Sequence, residues 1–182
     1  MKKQFILLTS LFLFLGLHVI NAQATQQECT IKYNLFKGDY QSKKYEDAYP
    51  NWISLMDNCP TLSINIYKLG DKMVQSMFKK AADQTETTAL IKRIYEQRLA
   101  NFPSKDPAKV HSDYATFLVK NKLATDDEVF EILELAYSID PTRMGVKNIY
   151  RYFQGITDAN KDTNPQKVFD TYDDVLESVG EK

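Results

Sequence analysis

The chain has 182 residues, of which 43% are hydrophobic and 26% charged, with 23 basic and 24 acidic side chains. A net charge of −1 argues against phosphate-backbone binding as the main role, because that needs a strongly basic surface. After the first twenty-odd residues no apolar run is long enough to cross a bilayer.

Lys2 and Lys3 precede an uncharged run from Phe5 to Ile20 that ends in Asn21-Ala22-Gln23-Ala24. A basic start, a short apolar core and small residues before a cut make residues 1–24 a secretory signal peptide, cleaved after Ala24 or after Ala22. No lipid anchor is expected, since Cys29 follows Gln26-Gln27-Glu28 rather than small residues at the cut. Export places the protein in the periplasm, with secretion or cell-surface attachment as alternatives. Losing Lys2 and Lys3 leaves 23 − 2 = 21 basic against 24 acidic residues, a net charge of −3. Residues 25–182 are expected to form one domain able to bury a sizeable core.

From Cys29 to Pro60 the apolar positions fall into two helical runs, Cys29, Tyr33, Phe36, Tyr40 and then Tyr45, Ala48, Tyr49, Trp52, Met56. Lys43 and Lys44 mark the turn between them. Thr25 and Glu28 read as a capping box opening the first helix, which runs to about Ser42, and the second runs from Tyr45 to about Asn58. Pro50 lies inside that second helix, where it costs about 3 kcal/mol or forces a kink unless it sits in the first turn. Cys29 starts the first helix and Cys59 ends the second, and an antiparallel hairpin brings those ends together. In an oxidising compartment a Cys29–Cys59 disulfide is expected; two buried free thiols are the alternative.

A second pair follows, with Tyr67, Gly70, Met73, Val74, Met77 and Phe78 on one stripe and Leu90, Ile91, Ile94, Tyr95 and Leu99 on the next. The third pair carries Val110, Tyr114, Phe117 and Leu118, then a helix opened by a Thr125–Glu128 capping box and stopped at Asp140-Pro141. The fourth carries Ile149, Tyr150, Phe153 and Ile156, then a polar loop from Thr157 to Thr163. Asn164-Pro165 opens a final helix striped by Val168, Phe169, Tyr172, Val175, Leu176 and Val179. Eight helices and no sheet are expected.

Pro60, Pro103 and Pro141 each close a second helix, with Trp52, Tyr95 and Leu133 eight residues before them. With Leu35, Tyr40 and Ala48 in the first unit, Leu69-Gly70 in the second and Ala136 in the third, the chain resembles the tetratricopeptide-repeat superfamily. Its leader and the stretch Lys43 to Trp52 are also similar to exported repeat-containing proteins of uncharacterised role from Gram-negative bacteria. The resemblance implies an all-α fold, a right-handed α-solenoid of about four helix-turn-helix hairpins. Phe36 stands where that repeat usually has a small residue, so the first hairpin must splay or repack.

The same resemblance implies a protein or peptide partner held in a concave groove lined by the first helix of each pair. Its candidates are Tyr33, Lys37, Tyr40, Tyr67, Asp71, His111 and Tyr114, where an aromatic ladder would grip an extended peptide. The competing reading makes these tyrosines ordinary packing between helices. Once the leader is cut, His111 is the one histidine left, with no second histidine or cysteine at ligand spacing, so no metal or other cofactor is implied. The expected function is that of a non-enzymatic exported scaffold or adaptor without a nucleic-acid partner. A glycan-active helical enzyme is the first alternative. The second is a structural subunit of an envelope assembly, self-associating through its final helix.

Overall fold

A computed structural model describes residues 25–180. The signal peptide assigned to residues 1–24 lies outside the described residues. Among these the fold is all-α, with eight helices and no strand. They are α1 (25–41), α2 (Tyr45–Asn58), α3 (Asn65–Phe78), α4 (Thr85–Asn101), α5 (Pro107–Asn121), α6 (Asp126–Ile139), α7 (Val146–Asn160) and α8 (Pro165–Gly180). A short 3-10 turn, Pro141–Arg143, joins α6 to α7. No helix among the described residues is long and apolar enough to cross a membrane.

Two local expectations shift, and a third, Pro50 inside the second helix, is met. Thr25 is already helical, so it does not cap α1, and the Glu28 carboxylate pairs instead with Lys32 one turn on, at 2.7 Å. The polar stretch expected as a loop from Thr157 stays helical to Asn160, where Thr157 and Asn160 donate to the carbonyls of Phe153 and Ile156 and the buried Ile156 anchors the last turn. Pro50 is accommodated within α2 although it lies beyond the first turn. Burial of Ala48, Trp52, Leu55 and Met56 on that helix offsets the local cost, since packing of an apolar face supplies most helical stability.

The chain divides into two compact units, one ending at Thr88 and the other beginning at Ala89, so the division falls inside α4. In the first unit, Cys29 and Cys59 form a disulfide with Cα atoms 6.0 Å apart. Lys32 also donates to Ser54 at 2.9 Å, so α1 and α2 lie antiparallel. Trp52 then crosses from α2 to α3: its indole N–H donates to the Ile66 carbonyl at 2.9 Å and its ring lies over Gly70. A Cβ at Gly70 would stand 2.2 Å from the indole nitrogen, so only glycine admits the ring this close. Phe36, Trp52, Leu55, Ile66 and Met73 are fully buried in this core. The large Phe36 is thus absorbed within the packing.

The second unit repeats the logic with different residues. Thr125 and Glu128 form the expected capping box, each side chain bonded to the other's backbone N–H. Phe130 of α6 lies over Gly155 of α7, where a Cβ would come within 2.2 Å of its ring. Tyr152 stacks between Phe130 and Tyr137, with ring centroids 5.7 and 4.2 Å away. Burial first, and then Tyr137, Glu134 and Asp174, push its hydroxyl pKa up to about 12.

Helices α5 and α7 are tied by a buried amide. Asn148 donates to the Ser112 carbonyl at 2.8 Å, to the Ser112 hydroxyl at 2.9 Å and to Thr116 at 2.8 Å, while its own oxygen accepts from Arg151 at 3.0 Å. Arg143 forks onto the carboxylate of Asp106 just before α5, holding its pKa below the usual carboxylate range. Asn148→Asp should cost about 3 kcal/mol, because it sets a buried carboxylate against the Ser112 carbonyl and removes the donor. Urea denaturation checks this; an unchanged midpoint would mean that the amide does not hold the two helices.

Candidate interaction surfaces

The first candidate surface grows from the directions of α1 and α3. Tyr33, early in the described part of α1, accepts hydrogen bonds at 3.3 Å from Ser63 and from Asn65 at the start of α3. Tyr40, seven residues on, feels Asp71, six residues on from Asn65. Both helices therefore run the same way, with α2 antiparallel to each. Side chains of α1 and α3 are brought to one surface, where Tyr33, Tyr40 and Asp71 are half-buried and Lys37 is exposed.

The chemistry of that surface is amphipathic. Tyr40 packs against Phe36 and Tyr45, with centroids 6.2 and 5.7 Å away. Burial, then Tyr45 and Asp71, raise its hydroxyl pKa, so it remains a neutral donor and acceptor. Asp71 accepts from Gln75 at 2.9 Å. Tyr67 does not join them. It is fully buried and its hydroxyl donates to the Pro60 carbonyl at 2.9 Å, so it packs the core and closes the turn after α2. It belongs with Gly70, Met73, Val74 and Phe78 on the buried face of α3, the ordinary packing between helices that was the competing reading.

His111 and Tyr114 lie on α5 in the second unit. His111 is half-buried, and that burial pushes its imidazole pKa down, favouring the neutral ring at neutral pH. Tyr114 packs on Tyr95 at 4.9 Å, and burial followed by the charges of Glu96 and Glu128 raises its pKa. A cleft of about 620 Å³ opens between α6 and α7, floored by Phe130, Leu133 and Gly155 and also lined by Asp126, Asp127 and Asp158. Among the described residues no three His, Cys, Asp or Glu side chains gather as a metal site.

The second surface lies on α7 and α8. Thr171 and Ser178 are the buried residues of α8, while Phe169, Tyr172 and Leu176 are about half or more exposed, at 65%, 47% and 52%. On α7, Val146 and Tyr150 are exposed at 57% and 59%, and Phe153 meets Tyr172 with centroids 5.9 Å apart. Phe169, Tyr172 and Leu176 were legible as part of the apolar stripe of α8, and Tyr150 as part of that of α7. Their exposure, and the part of Val146, were not, because a stripe shows that a face exists and not which way it turns. No family model matches the chain, and no curated protein or solved structure is significantly similar to it.

Proposed function

We propose that the protein is an exported, non-enzymatic helical-repeat scaffold that binds a protein or peptide partner over the surface shared by α1 and α3. The observation that carries this reading is the parallel pairing of those helices. It supports a shared surface for Tyr33, Tyr40, Lys37 and Asp71, which would offer flat apolar rings, hydroxyls and one side chain of each charge sign. Such a surface suits an extended peptide, whose backbone amides need hydrogen-bond partners while its side chains need apolar contact. Export fits the Cys29–Cys59 disulfide, which persists in an oxidising compartment.

Site-specific photocrosslinking in the cell envelope tests the reading. A crosslinker at Lys37 should trap one defined protein, and Tyr40→Ala with Asp71→Lys should abolish the adduct. A crosslinker at Gly38, exposed on another side of α1, should not trap it. Equal trapping from both positions, or none from Lys37, would refute the α1/α3 surface.

A further inference from the structure

We propose that the apolar face of α7 and α8 is the contact between two copies of this chain, paired about a two-fold axis running along the helices. On helix α8 the small polar Thr171 and Ser178 are the fully buried positions and Val168, Val175 and Val179 are half-buried, while the large Phe169, Tyr172 and Leu176 face solvent. With Val146 and Tyr150 they form one apolar strip along a pair of packed helices. Helices of 15 and 16 residues are about 22–24 Å long. Side by side at about 10 Å spacing they present a face of about 24 by 20 Å, roughly 500 Å² before side-chain relief is counted, near the roughly 600 Å² per partner at the lower end of specific interfaces.

Charge selects the occupant. Asp170, Asp173 and Glu177 run beside the apolar stripe on α8, all exposed, whereas α7 carries exposed Lys147 and half-buried Arg151 along its own first half. A helix lying in a membrane surface needs Lys and Arg along its edge, so the acidic edge of α8 repels an anionic lipid headgroup layer. A foreign helix of uniform charge is attracted by one edge and repelled by the other. A second copy matches both. Because α7 and α8 are antiparallel, Lys147 lies level with the Asp173–Glu177 end of α8. The two-fold axis sets α7 of one copy over α8 of the other and brings Lys147 against that acidic edge twice. This surface is separate from the one on α1 and α3, so either can fail without the other.

Sedimentation equilibrium of the purified, disulfide-bonded protein tests the proposal. The mass should rise to twice the monomer value with concentration, and Phe169→Asp with Leu176→Asp should return it to the monomer with an unchanged helical circular dichroism spectrum. Tyr150→Glu on the other helix should do the same, which guards against a folding defect in the first variant. Lys147→Glu should weaken pairing at least tenfold, and adding Glu177→Lys should restore most of it. A monomer at every concentration, a dimer that survives the Phe169 and Leu176 substitutions, or a failed charge exchange would each overturn the proposal.

Discussion

Gly70→Ala should destabilise the protein by about 2 kcal/mol, although alanine is the better helix former. In an open helix interior the change would gain about 0.5–1 kcal/mol. At Gly70 the new Cβ would lie 2.2 Å from the indole nitrogen and 2.6 Å from the next ring atom of Trp52, whose ring is rigid and fully buried. Its N–H is also held by the Ile66 carbonyl, so the ring cannot move without losing that bond. Overpacking of this kind costs about 1–3 kcal/mol, occasionally more, and outweighs the propensity gain. Gly38 in α1 supplies the control. Nothing lies within 4 Å of a Cβ there, so Gly38→Ala should stabilise by about 0.5–1 kcal/mol.

Trp52 is the sole tryptophan, so its emission reports on this one contact. Gly70→Ala should shift that emission to the red and lower the urea midpoint, while Gly38→Ala should leave the emission alone and raise the midpoint. Trp52→Ala removes the whole ring and should cost about 3–5 kcal/mol, followed by circular dichroism. If Gly70→Ala behaved like Gly38→Ala, Trp52 would not be the clasp between α2 and α3.

Removing the disulfide should have the second large effect. Cys29 and Cys59 are 30 positions apart, and closing a loop of that length stabilises by about 3–4 kcal/mol in the chain-entropy view. Cys29→Ser with Cys59→Ser should therefore lower stability by that amount, and reduction of the native protein should reproduce the loss. The bond ties the described start of α1 to the end of α2, so α1 should gain most in hydrogen exchange. Unchanged exchange in α1 after reduction would show that its packing holds it without the sulfur link.

These two features were legible to different degrees. The disulfide followed from where two cysteines fall on a hairpin, and the stops at Pro60, Pro103 and Pro141 and the Thr125 cap are local signals that tertiary contacts did not override. Trp52, Tyr95 and Leu133, marked by their offset from those prolines, are all buried. The clasp itself was hidden, because Gly70 reads as a weak point in a helix until the ring above it is seen. Asn148 was missed for a related reason. A buried polar residue carries no periodic signature, and its value lies in Ser112 and Thr116 on another helix. Burial decided the remainder: Tyr67 lies in the core with the rest of its apolar stripe and not in a groove, while Leu176 faces out of it.

The central claim is that α1 and α3 run the same way and share a surface, with α2 clasped between them. Nuclear Overhauser contacts in the labelled protein measure this directly. The Tyr33 ring should show contacts to Ser63 and Asn65, and the Trp52 indole proton to Gly70. Contacts from Tyr33 to the far end of α3 near Phe78, with none to Asn65, would reverse the helix and contradict the account.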